Sequence, residues 1–332
     1  MKAPRRLSGS RIAVGVASVG LTVGAFSLYS RKRYGRSAAA SLAEYGVRPV
    51  KTLAARIPMT ERIARLADRP EPARTITFPA WGRFFYDLER REDSGMPVYH
   101  VRPRTPSSAV IVYLHGGAYV SPISWAHWLL IDALVERTGA AAVVPAYPRA
   151  PEHTAAEAFA PLGVLMDQVL DAPGRAVLAG DSAGGGLALS LAIQRRDAGV
   201  RAPDGLVLFS PWVDVSMSNP RIAPMVRLDP MLGIDGLVWC GKEWAGGLGT
   251  ADPRVSPLHD HLRGLPPTRV YQGDRDILLP DVELFARKAR ARGAERERAD
   301  GGVGGARGAR RRGPARGGLS LPRPRTGAQR RG

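Results

Sequence analysis

The residues with most chemical promise lie in one run, Val177-Leu178-Ala179-Gly180-Asp181-Ser182-Ala183-Gly184-Gly185-Gly186, followed directly by Leu187-Ala188-Leu189-Ser190-Leu191-Ala192-Ile193. An apolar segment passes through Gly-x-Ser-x-Gly into a segment of helical length and composition. A nucleophilic serine needs that order of strand, sharp turn and helix, because its hydroxyl stands on a strained turn and glycines sit where a Cβ would clash. The N-terminus of the following helix then faces the developing negative charge. Ser182 is the candidate nucleophile. A second run, Ala109-Val110-Ile111-Val112-Tyr113-Leu114-His115-Gly116-Gly117-Ala118-Tyr119, begins as a buried β-branched strand and ends in glycines that let backbone N–H groups point into a pocket. Either motif alone reads equally well as a tight turn, so the chemistry rests on the two together.

Four further motifs follow. They are Tyr147-Pro148-Arg149-Ala150-Pro151-Glu152-His153, Phe209-Ser210-Pro211-Trp212-Val213-Asp214, Asp252-Pro253-Arg254-Val255-Ser256-Pro257-Leu258, and Leu265-Pro266-Pro267 with Gly273-Asp274-Arg275-Asp276-Ile277-Leu278. With the first two motifs, and in this order, they resemble the hormone-sensitive-lipase-like family of α/β-hydrolase esterases from about residue 109 to 279. The resemblance implies an α/β-hydrolase fold and a carboxylesterase or lipase-type hydrolase that cleaves a small apolar ester through an acyl-Ser182 intermediate. It implies no cofactor and no metal. Oxyanion donors would come from Ala183 and from the loop Gly116-Gly117-Ala118, in which Gly116 shapes the turn. The triad acid falls at Asp276 and not at Asp274.

The family order is Ser, Asp, His, with the histidine about 30 residues beyond the acid on a loop after one more strand. No catalytic histidine is found there. The six histidines are 100, 115, 127, 153, 259 and 261, and all precede Asp276. His115 belongs to the oxyanion loop and His153 to the Ala-Pro-Glu-His segment, while His127, His259 and His261 are the fallback bases. Without an imidazole, Ser182 lacks a proton acceptor, so the esterase reading carries the expectation of impaired activity. A catalytically inactive hydrolase-fold binding protein is the alternative.

These residues must be positioned by a mostly parallel sheet with helices on both faces. Apolar runs place strands at 109–114, 141–146, 176–180, 205–210 and 268–272, with helices near 125–138, 155–170, 183–198 and 281–292 between and after them. Two early strands are expected at 74–78 and 96–101, separated by a polar turn around 89–95. The resemblance implies helical cap pieces at about 37–70 and 214–245, the second where Met, Trp, Pro and Gly interrupt the alternation. The hydrolase domain spans 37–294. The family's last strand and covering helix are expected to be missing.

The formal net charge of +18 raises nucleic-acid binding, but its distribution argues against specific recognition. Residues 1–36 hold eight Lys/Arg and 301–332 hold nine Arg, neither with an acid, leaving 31 basic against 30 acidic residues between them. The body is balanced, and the basic ends alone would bind phosphate non-specifically. Residues 12–29 are uncharged and flanked by basic residues, giving a candidate single N-terminal anchor and a membrane-associated protein, with cytoplasmic and exported forms as alternatives. Cys240 is the sole cysteine, which excludes an intrachain disulfide. From 295 to 332 the composition turns to Gly and Arg, which reads as a disordered tail. Its abrupt onset is what a shifted reading frame in GC-rich DNA produces.

Overall fold

The computed structural model describes residues 86–105 and 107–300, with 49 and 61 as isolated helical positions, and only the backbone beyond residue 291. The candidate anchor at 12–29, nearly all of the cap piece at 37–70, the strand expected at 74–78 and the tail at 301–332 lie outside the described residues. Apart from residue 49, everything described falls in one compact unit, Pro58–Pro322.

Seven strands form one sheet: β1 (Tyr86–Asp93), β2 (Met96–Pro103), β3 (Ala109–Leu114), β4 (Ala141–Pro145), β5 (Arg175–Asp181), β6 (Gly205–Phe209) and β7 (Thr268–Tyr271). Their order is β1-β2-β4-β3-β5-β6-β7. The five strands from β4 to β7 across the sheet pair parallel, as their continuous apolar runs predict. β1 and β2 form an antiparallel hairpin on β4.

β1 corrects the sequence reading, which placed a polar turn over much of it. Ser94 and Gly95 both have positive φ, 57° and 80°, so the turn is only two residues long and the charged stretch before it is strand. Charge suits β1, because it lies at the sheet edge, where Glu89 pairs across the hairpin with Arg102 at 3.1 Å.

Helices α1 (Trp125–Thr138), α2 (Ala155–Asp171), α3 (Ser182–Asp197), α4 (Ile234–Ala245) and α5 (Leu279–Asp300) complete the main elements. α1 packs Trp128, Ile131 and Val135 on one face of the sheet with Tyr99, Ile111 and Tyr113. On the other face α2, α3 and the start of α5 contribute Leu162, Leu187 and Phe285 to a larger core. α3 is buried along almost its whole first three turns, and small residues let it approach the sheet closely. A Cβ on Gly180 would strike the Gly184 carbonyl, and one on Gly184 would strike that of Leu114. The Gly-x-Ser-x-Gly spacing is therefore a packing requirement of strand against helix.

The segment expected as the second cap piece holds a short 3-10 turn, Ala223–Arg227, followed by α4. α4 buries Leu237, Cys240, Gly241 and Trp244, whereas Leu228 and Met231 before it remain exposed. α5 begins two residues earlier than expected and its backbone continues to Asp300, past the end expected at 292. Beyond β7 the described residues add no further strand.

Candidate active site

Ser182 stands between β5 and α3 with φ 50°, a left-handed conformation that a serine adopts only when its surroundings enforce it. The enforcement is visible. The Trp212 N–H donates to the Ser182 carbonyl at 2.8 Å, holding the turn against the segment after β6. Ala183 lies in the first turn of α3, where backbone N–H groups have no acceptor four residues back.

The loop after β3 lies beside this turn. Gly117, Ala118 and Tyr119 all have positive φ, 121°, 54° and 64°. Such a run turns successive N–H groups toward one side, and among the described residues those of Gly117 and Ala118 donate to no protein acceptor. Gly116 is different: its N–H donates to Asp181 Oδ1 at 2.9 Å. Its N–H is thereby engaged inside the loop, where Gly116 shapes the turn. Aromatic packing holds the loop from behind. Tyr119 stacks on Trp244 of α4 at 4.2 Å and on Trp212 at 5.6 Å. His115 stacks on Tyr147 at 4.6 Å, and its Nδ1 donates to the Gly116 carbonyl at 2.7 Å. Burial drives the His115 pKa down to about 3, which keeps the ring neutral.

Asp181 was read only as a motif residue, yet its carboxylate is a junction. It accepts from Tyr113 Oη at 2.6 Å, from the Gly116 N–H, and from His127 Nε2 at 3.3 Å. Burial alone would raise its pKa, but His127 and these other donors outweigh it and hold the carboxyl below its usual range.

Asp276 follows β7 and is half-buried, whereas Asp274 is exposed. The Leu278 N–H donates to Asp276 Oδ1 at 2.8 Å. Burial raises its pKa, opposed by the Leu278 N–H and a hydrogen bond from the Ser210 side chain. Ser210 itself bonds the Tyr271 carbonyl at 2.7 Å, so β6 and β7 deliver Ser210 and Asp276 to one edge. Ser182 leaves β5, which only β6 separates from β7, at that same carboxyl edge of the sheet. Asp229, in the cap piece, was not foreseen. Its buried carboxylate accepts from Met231 and Leu232, both at 2.7 Å, and from Ile277 at 2.9 Å, tying this segment to the loop that carries Asp276. An Asp-Pro pair followed by apolar residues was the available signal of such a turn.

All six histidines are described, and each has a partner other than Ser182 or Asp276. His100 bonds Asp93 at 2.6 Å, and His153 pairs with Glu157 at 3.6 Å. His127 accepts the Ser124 N–H at Nδ1, 2.8 Å, so its proton sits on Nε2 and is directed at Asp181. His259 lies 3.3 Å from Asp214. His261 lies 3.8 Å from Asp197, at the far end of α3 from Ser182, about 22 Å along the helix. Among the described residues, Asp197, Asp260 and His261 are the one trio with metal-ligand spacing. Arg196 already pairs with Asp197 at 2.7 Å and Asp260 at 3.2 Å, which makes the trio part of a surface ion-pair cluster.

The profile of the α/β hydrolase fold matches residues 111–301, more than half of the chain and all of the machinery just described. The chain belongs to the α/β hydrolase fold family. Its similarities lie with esterases and lipases of the hormone-sensitive-lipase kind. It is 35% identical over 203 residues to a triacylglycerol lipase of Mycobacterium tuberculosis H37Rv, covering 60% of this chain and 42% of that one. To an esterase of Acinetobacter venetianus RAG-1 it is 33% identical over 201 residues, covering 59% and 66%. A crystal structure of a hormone-sensitive lipase from a metagenome library superposes with a TM-score of 0.60 at 26% identity, covering 74% of this chain and 84% of that one. The matched part spans less than two thirds of these two curated relatives. No described helix is long and apolar enough to cross a membrane.

Proposed function

We propose that this family member is a serine ester hydrolase of carboxylesterase or lipase type, with Ser182 as nucleophile. The observation that carries the reading is the backbone of Ser182 at φ 50°, facing a loop of three successive positive-φ residues. In this reading Ser182 Oγ attacks the carbonyl carbon of a small apolar ester. The N–H groups of Gly117, Ala118 and Ala183 receive the charge that develops on the carbonyl oxygen. The alcohol departs, and water releases the acyl group from Ser182. Asp276 takes the place of the acid.

The proton of Ser182 is the weak point. Each histidine is engaged elsewhere, so solvent takes the proton and acylation is slow. The oxyanion donors and substrate binding alone retain a rate about 10³-fold above water. The same engagement of the histidines favours the second reading, a hydrolase-fold protein that binds apolar esters without turning them over.

An activated short-chain ester separates the two. The enzyme reading expects slow release of the alcohol and an acyl adduct on Ser182 detectable by mass spectrometry, both lost in Ser182→Ala. Release that is identical in Ser182→Ala, with no adduct, contradicts it.

A further inference from the structure

We propose that Asp181 is the positioning residue of the oxyanion loop, its carboxylate fixing the Gly117 and Ala118 N–H groups relative to the Ser182 hydroxyl. The inference rests on the reading of Ser182 and that loop given above.

Three observations carry it. Asp181 occupies the N-cap position of α3, where an aspartate ordinarily bonds the first-turn N–H groups, yet it makes no side-chain cap bond. Its side chain turns instead toward a loop 65 residues away in sequence. That choice leaves the helix's first N–H groups to a ligand.

The partners, moreover, all donate. Tyr113 is fully buried and gives its hydroxyl proton to Oδ1, which also accepts the Gly116 N–H. His127 must present Nε2–H to Oδ2, because its Nδ1 already accepts the Ser124 N–H. An ionised carboxylate, which only accepts, suits three donors with no proton of its own to place among them. An amide of the same shape would set its own N–H groups against at least one of them.

Space is closed as well. A Cβ at position 116 would collide with Asp181 Oδ2, so the loop is seated directly on the carboxylate. One residue thereby sets both sides of the reaction: its backbone leads into Ser182, and its side chain holds the loop opposite. A carboxylate this near a developing oxyanion would oppose catalysis if its charge were exposed. Here the charge is spent on three donors, which leaves position as its contribution.

The experiment is single-turnover acylation of the full chain by p-nitrophenyl acetate, comparing the wild type with Asp181→Asn, Tyr113→Phe and Ser182→Ala, alongside thermal unfolding of each. Asp181→Asn should lower the limiting acylation rate tenfold or more while the half-saturating ester concentration stays within twofold. Tyr113→Phe, which keeps the Gly116 bond, should lower it two- to fivefold. A merely structural role would move the unfolding midpoint and leave the limiting rate of the folded fraction unchanged. Wild-type rates in Asp181→Asn, with the adduct lost in Ser182→Ala, overturn this inference and leave the reading of Ser182 standing. An adduct that persists in Ser182→Ala overturns that reading instead. Should Asp181→Asn fail to fold, Tyr113→Phe decides: a lowered limiting rate supports the assignment and an unchanged one overturns it.

Discussion

At the scale of single residues, burial and donors decide what each carboxylate does. Asp181 is held ionised by three donors. Asp281 is the opposite case: only 1% exposed, it receives a bond from Asn219 Nδ2 at 2.7 Å, and its other oxygen has no partner among the described residues. Burial, reinforced by the charge of Asp214 and opposed by Asn219 and His259, raises its pKa to about 6. A raised folded-state pKa means that stability is full below the unfolded pKa and is lost as pH rises through about 6. That change corresponds to roughly 3 kcal/mol. The contribution of Asp281 to unfolding free energy should therefore fall between pH 4 and 6, so the difference between the wild type and Asp281→Asn should change across that window. Denaturant titrations of both proteins across this window measure it, and parallel pH profiles would contradict the assignment.

The same scale shows what the sequence made legible. The strand–turn–helix at Ser182 and the turn at Gly117 and Ala118 could be placed because glycine spacing around a turn is a local code. The choice of Asp276 over Asp274 rests on a motif; Asp276 is half-buried and Asp274 exposed. Asp181 as a junction and Asp229 as a tie were not legible, since their partners lie 65 and 48 residues away and are mostly backbone N–H groups, which leave no mark in sequence. The Ser124 N–H that occupies Nδ1 of His127 belongs to its own helix start and is likewise invisible in sequence.

At the scale of elements, periodicity succeeded where both faces of a strand are buried. β3 and α1 have the bounds expected, and β4 to β7 differ by a residue or so at their ends. β1 failed because an edge strand gains its place from hairpin pairing and tolerates charge on both faces, so Tyr86–Asp93 carries no apolar alternation to read. Glycines at the helix faces give a prediction of opposite signs. A Cβ at Gly184 meets the Leu114 and His115 carbonyls, whereas one at Gly163 in α2 meets nothing within 4 Å. Gly184→Ala should cost more than about 3 kcal/mol, while Gly163→Ala should stabilise by about 0.5–1 kcal/mol. Chemical denaturation of the two variants checks this, and equal effects would show that helix propensity and not close approach governs both sites.

At the scale of the whole molecule, the electrically balanced body between the basic ends is the part that resembles a hydrolase. For the N-terminus we propose that residues 12–29 act as a membrane anchor, on the strength of their 18 uncharged positions. The full chain should then partition into membranes, and a version beginning at Ser37 should not. Equal recovery of both in the soluble fraction would contradict the anchor.

The central claim joins these scales: a formed serine elbow and oxyanion loop, in a chain whose every histidine is engaged elsewhere. Hydrolysis of p-nitrophenyl acetate followed from pH 5 to 9 tests it most directly. The prediction is a slow rate, about 10³-fold above water, that depends on Ser182 and shows no rise through the histidine range near 6.5. Turnover at an ordinary enzymatic rate, rising through that range and lost on replacing His127, His259 or His261, would contradict it.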